Sequence, residues 1–113
     1  MVKRYVPEAG DIAWLDFDPQ AGREQAGRRP ALVLTDQPYN RASGLAVVCP
    51  LTSKRKPYPL ALPCDIGKVA GSLLVNHLRS IDWEVRNAAF HSKADVALVA
   101  KVRAYVGVLL RIQ

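Results

Sequence analysis

The chain has 113 residues, with 16 Lys and Arg against 10 Asp and Glu, a formal charge of +6 and a pI near 9.7. Half of it is apolar and 23% is charged, which excludes an intrinsically disordered chain and fits one globular domain, taken as residues 1–113. No apolar run approaches the ~18–20 residues of a membrane span. Met1-Val2-Lys3-Arg4-Tyr5-Val6-Pro7-Glu8 has no apolar core of the kind a signal peptide needs, so no membrane and a cytoplasmic location are expected. Cys49 and Cys64 form no CxxC pair and read as reduced thiols. With His77 and His91 they make no metal-ligand spacing, so no metal and no cofactor are expected.

In chain order, Asp11-Ile12-Ala13-Trp14-Leu15-Asp16-Phe17 reads as a strand buried on both faces, because apolar residues occupy both alternating sets. Asp18 to Gly22 breaks it, and Gly22 to Pro30 reads as a basic loop. Ala31 to Thr35 is a second strand, Tyr39-Asn40 to Ser43-Gly44 a turn, and Leu45 to Cys49 a third strand ended by Pro50. Leu60 to Leu62 is a short fourth strand, and Ser72 to Leu78 a fifth, on which Asn76 and His77 would face opposite ways. Ser92-Lys93-Ala94-Asp95 has the spacing of a capping box. Beyond it, Val99, Val102, Val106 and Leu109 recur as the stripe of an amphipathic helix, with Gly107 weakening its last turn. Many short strands closed by a helix suggest a mainly β fold with helices (α+β), of small barrel-like form.

Three stretches bear chemistry. Gly22-Arg23-Glu24-Gln25-Ala26-Gly27-Arg28-Arg29-Pro30 offers guanidinium forks that match phosphate geometry, between glycines that permit close backbone approach. Pro50-Leu51-Thr52-Ser53-Lys54-Arg55-Lys56-Pro57-Tyr58-Pro59 joins hydroxyls, cations and an aromatic ring, the groups that single-stranded nucleic acid recruits. Val75 to Trp83 holds His77, whose ordinary pKa of ~6.5 suits proton transfer near neutrality. Taken alone, each also reads as a solvated basic loop or a structural strand.

In this order, the residues resemble the MazF/PemK family of toxin endoribonucleases over essentially the whole chain. The resemblance is carried by Gly10 to Pro19, by Gly22 to Leu34 with its E-Q-x-G-x-R-P loop, by Tyr39-Asn40, by Cys49 to Ser53, by Tyr58-Pro59 and by Arg79-Ser80-Ile81-Asp82-Trp83. It implies a small SH3-like β-barrel with a C-terminal helix, usually a homodimer. It implies sequence-specific, metal-independent cleavage of single-stranded RNA, above all mRNA, to 2′,3′-cyclic phosphate and 5′-hydroxyl ends, which halts translation and growth. It also implies a cognate antitoxin whose acidic C-terminal segment occupies the RNA groove. The catalytic pair carried over is Arg29 and Thr52, with Glu24 on a loop position linked to activity. The RNA-binding candidates are Gln25 and Arg28 on the first loop, Ser53, Lys54, Lys56 and Tyr58 on the second, and Asn76, His77 and Arg79 beyond. Asn76-His77 departs from the acid–glutamine pair found in similar toxins, and an asparagine cannot serve as a carboxylate base. The alternative is a non-cleaving protein on the same fold that binds RNA or antitoxin, or a gyrase inhibitor of the CcdB type, since fold does not fix function.

Overall fold

The computed structural model describes residues 4–18, 27–54, 59–65 and 70–112. Its elements are β1 (Asp11–Asp16), β2 (Arg28–Val33), α1 (Gln37–Ser43), β3 (Leu45–Thr52), β4 (Ala61–Pro63), β5 (Ser72–Leu74), a 3-10 turn (Val75–His77), β6 (Arg79–Asp82), β7 (Ala89–Lys93) and α2 (Val96–Leu110). Among the described residues seven strands form one sheet in the order β4-β5-β3-β2-β1-β7, with β6 on β3, and their pairing is antiparallel. The fold is therefore mainly β with two helices.

Alternation along the strands builds a core on each face. Ile12, Leu32, Cys49, Leu51, Leu73 and Val75 pack with Val102 of α2, while Leu98, Val99, Tyr105 and Val106 close over them. Ala13, Leu15, Phe17, Ala31, Val33, Val48, Ile81 and Trp83 form the opposite core, with Tyr5, Val6 and Ala88 against it. The first strand is buried on both faces, as its composition suggested. The C-terminal helix packs the expected stripe, although Leu109 stays exposed, and it runs through Gly107 to Leu110. Its end is sealed by the Ile112 N–H, which donates to the Gly107 carbonyl at 2.8 Å, with Arg111 in the left-handed conformation.

Several boundaries differ from the sequence reading, each for a local reason. The second strand starts at Arg28, inside the expected loop, because Arg28 and Arg29 already pair with Asp16 and Leu15. The stretch around Tyr39-Asn40 is a helix, capped by the Asp36 side chain and ended by Gly44 at φ 74°. The third strand continues past Pro50 to Thr52. Its edge away from β2 pairs with β6 as far as Val48 and with β5 from Leu51, so Pro50 falls in the gap, where its missing N–H costs no ladder bond. The fourth strand starts one residue late because Leu60 is left-handed, at φ 63°. Helix α2 is capped by Asp95, not Ser92. Ser92 belongs to β7, opposite Ile12, and its hydroxyl meets His91 Nδ1 at 2.7 Å. Strands β6 and β7 carry no strong alternation and were not anticipated.

The expected strand over 72–78 stops at Leu74. Leu51 faces Leu73 and Val48 faces Arg79, so three steps along β3 correspond to six along its partner. The surplus is looped out as the 3-10 turn, closed by Leu78 N–H donating to the Val75 carbonyl at 3.1 Å. Asn76 and His77 therefore sit on a helical turn beside the Cys49–Pro50 gap, and the opposite-faces argument does not apply to them.

Candidate active site

The β2–β3 register runs Val33↔Val48, Leu32↔Cys49 and Ala31↔Pro50. This pairing ends two residues short of Arg29 on β2 and of Thr52 on β3, and Arg29 lies opposite Leu15 of β1. A cleft of about 280 Å³ lies at this end of the sheet, lined by Trp14, Arg28, Arg29, Pro30, Thr52 and Gly71 among others. The Arg29 guanidinium is half-buried, and its Nη1 donates to the Leu51 carbonyl at 3.4 Å. Burial lowers its pKa from the ordinary value, and the negative charge of Asp18 works against that shift. A guanidinium stays protonated under either influence, so Arg29 brings a fixed cation to a partly desolvated site.

Thr52 is buried, and its Oγ1 accepts from the Lys54 N–H at 3.4 Å, which turns the chain out of β3. Ser53 and Lys54 follow it into solvent. Gly71 closes the cleft from the β5 side. A Cβ there would stand 2.5 Å from the Thr52 carbonyl oxygen, so only glycine allows the two backbones to come this close.

Arg28 also lines the cleft, with its guanidinium held by two partners. Its Nη1 meets Asp16 Oδ1 at 3.0 Å, and its Nη2 donates to the Asn87 carbonyl at 2.8 Å. Hydrogen bonds from Asn87 and then Arg28 hold the Asp16 carboxyl below its ordinary pKa. Arg79 shares the Arg29 face, opposite Val48, and its guanidinium lies 5.8 Å from the centre of the Phe17 ring. Asn76, exposed, and His77, half-buried, sit on the 3-10 turn and are not among the residues that line the cleft. Glu24, Gln25, Lys56 and Tyr58 fall outside the described residues. Sequence reasoning did not single out Trp14, Pro30 or Gly71 as cleft residues. Trp14 and Pro30 face each other across β1 and β2, a pairing visible only once the register is known.

A seven-stranded antiparallel sheet with a C-terminal helix, and an arginine and a threonine at one cleft, place the chain among the toxin endoribonucleases of type II toxin–antitoxin systems. The model of the family described as "PemK-like, MazF-like toxin of type II toxin-antitoxin system" matches residues 8–110, and the chain belongs to that family. The endoribonuclease toxin MazF of Escherichia coli strain K12 is 37% identical over 110 residues, covering 97% of this chain and 99% of its own length. The crystal structure of MazF from Deinococcus radiodurans superposes with a TM-score of 0.88 at 48% identity, over 96% of this chain and 100% of that one. A MazE–MazF crystal structure from the same organism gives 0.84 at 40% identity, over 97% and 100%.

Proposed function

We propose that this toxin cuts single-stranded RNA, with mRNA as the main target, at specific sequences and without a metal ion, by attack of the 2′-hydroxyl on the adjacent phosphate. The observation that carries this reading is the placement of Arg29 and Thr52 in the lining of one cleft. The 2′-oxygen becomes the nucleophile as it loses its proton, the phosphorane gathers charge, and the 5′-oxygen leaves with a proton. The products are a 2′,3′-cyclic phosphate and a 5′-hydroxyl. The half-buried Arg29 fork stabilises the charge that develops, and a preorganised donor of this kind contributes several kcal/mol. The Thr52 hydroxyl donates to a phosphate oxygen and orients it. Glu24 and His77 are assigned supporting or proton-transfer roles. Ser53, Lys54, Lys56 and Tyr58 hold the strand beyond the cut, and Gln25, Arg28, Asn76 and Arg79 complete its track.

The rest of the reading follows the family. Residues 1–113 form one toxin domain, whose β3, paired with β2 and β6 in one part and with β5 in the other, fits an SH3-like barrel. Val108, Leu110 and Ile112 are exposed apolar residues at the end of α2 and support a homodimer. The net charge of +6 suits both RNA and the acidic C-terminal segment of a cognate antitoxin. The protein works in the cytoplasm, in keeping with the absence of any helix long and apolar enough to cross a membrane among the described residues.

The test is incubation with a long unstructured RNA in EDTA, beside Arg29→Ala, with the ends mapped. Discrete cuts bearing cyclic phosphate, absent in the variant, are expected. Intact RNA from folded parent protein would refute the cleavage reading.

A further inference from the structure

One group of interactions serves neither core nor cleft directly. The turn 83–88 is built tightly. Asp82 Oδ1 accepts from the N–H groups of Glu84 and Val85 at 3.1 and 3.0 Å, and the Ala88 N–H returns to the Trp83 carbonyl at 2.9 Å. Trp83 roots it in the fold, its buried indole N–H donating to the Asn40 carbonyl at 2.9 Å. From this base the Arg86 side chain crosses to the end of β1. Its Nη1 donates to the carbonyls of Asp16 and Asp18, at 3.0 and 3.2 Å. The Asp16 N–H in turn donates to the Arg86 carbonyl at 2.9 Å.

Asp18 passes the constraint on. Its Oδ1 accepts from the Gly27 N–H at 2.9 Å, while the Phe17 N–H donates to the Gly27 carbonyl at 3.0 Å. Gly27, at φ 77°, is the residue from which the chain enters β2, two places before Arg29. Three links thus connect Arg86 to the start of the strand that bears Arg29. A half-buried arginine clamping two carbonyls of a chain reversal is more than the ladder requires, since β1 and β2 pair without it.

We infer that Arg86 is a positioning residue for RNA cleavage: through Asp18 and Gly27 it fixes where β2 begins, and so holds the Arg29 guanidinium over the scissile phosphate. This rests on the reading of Arg29 as the transition-state cation. The negative field of Asp18 at Arg29 agrees with the same route, because it places the relay carboxylate within electrostatic range of the catalytic guanidinium. A side chain that acts only by position changes the rate of the chemical step more than the grip on substrate.

The experiment compares the parent with Arg86→Ala, Arg86→Lys, Asp18→Ala, the double variant Arg86→Ala/Asp18→Ala, and Arg29→Ala. Single-turnover cleavage is measured on an RNA containing a mapped site, and affinity on the same RNA with a 2′-deoxy residue at the cut. Circular dichroism gives the folded fraction. Arg86→Ala is expected to slow cleavage at least tenfold with affinity within about threefold of the parent. Arg86→Lys, which keeps donors for the two carbonyls, should recover much of the rate. The double variant should be no slower than its slower single, since both lie on one route. A parental rate in Arg86→Ala, a loss matching only its unfolded fraction, a loss carried by affinity alone, or full additivity with Asp18→Ala would each overturn the inference. If Arg29→Ala itself cleaves at the parental rate, the reading of the site fails instead, and the two failures are told apart.

Discussion

Arg29 on β2 and Thr52 on β3 line one cleft at the open end of the sheet, and Arg29 Nη1 donates to the carbonyl of Leu51, the residue before Thr52. Arg29→Lys keeps the charge but replaces a planar fork by a point charge that cannot hold the Leu51 carbonyl and a phosphate in one plane. Its single-turnover cleavage should fall by roughly 100-fold or more, the scale of losing one oxyanion donor. Thr52→Ser should retain most activity and Thr52→Val should lose it, because only the hydroxyl is required. Equal rates for Thr52→Val and the parent would remove Thr52 from the chemistry.

Gly71 sits against the backbone of Thr52. Gly71→Ala would drive a methyl to within 2.5 Å of the Thr52 carbonyl and 3.1 Å of the Cys64 carbonyl, and neither is a flexible side-chain end. Overpacking of this kind costs about 1–3 kcal/mol. The displaced group is the backbone of Thr52, and on the catalytic role proposed for that residue cleavage by the folded fraction should also drop. A lower melting temperature with an unchanged rate per folded molecule would show that the strand yields elsewhere.

What was legible in the sequence, and what was not, divides along the range of the forces involved. The strand 11–17 was visible because Ile12 and Leu15 serve two different cores and leave an apolar mark on both alternating sets. The helix at 96–110 was visible through its Val99–Val102–Val106 stripe. Helix α1 carries no apolar period, since its one buried residue is Asn40, and only Asp36 and Gly44 at its ends betray it. Pro50 misled as a strand terminator because its tolerance depends on a gap between two partners, a tertiary fact. The 3-10 turn at Asn76-His77 was hidden for the same reason. At the site, Arg29 and Thr52 came from the resemblance, whereas Trp14, Gly71 and Arg86 emerge only from register and packing.

Asn40 shows how much a single polar residue in α1 holds. Its Oδ1 accepts from the Thr35 hydroxyl at 2.7 Å, and its Nδ2 donates to the carbonyls of Pro7 and Thr35, both at 2.8 Å. The side chain is wholly buried. Asn40→Ala leaves a hydroxyl and two carbonyls short of partners, and unsatisfied buried groups cost about 1–3 kcal/mol each. A loss of about 2–4 kcal/mol in denaturant unfolding is expected, allowing for some rescue by water. A change below ~1 kcal/mol would mean that water replaces the amide in full.

Tyr5 and Asp11 give the fold an alkaline sensitivity. The Tyr5 O–H donates to Asp11 Oδ2 at 2.6 Å, beside the Glu8 N–H at 3.0 Å, and Lys93 pairs with the other carboxylate oxygen. Burial first, then the hydrogen bond to Asp11, then the charges of Asp11 and Glu8 push the Tyr5 phenol well above its ordinary pKa. The sign follows directly. Below pH ~10 the phenol is neutral in both folded and unfolded chains, and its contribution to stability is fully present. Above that, the unfolded chain loses the proton while the folded chain keeps it, so stability falls as pH rises. Denaturant titrations at pH 8, 10 and 11 should show this fall in the parent and a shallower one in Tyr5→Phe, by up to one proton per molecule. The same slope in both proteins would mean that the Tyr5 phenol ionises as readily folded as unfolded.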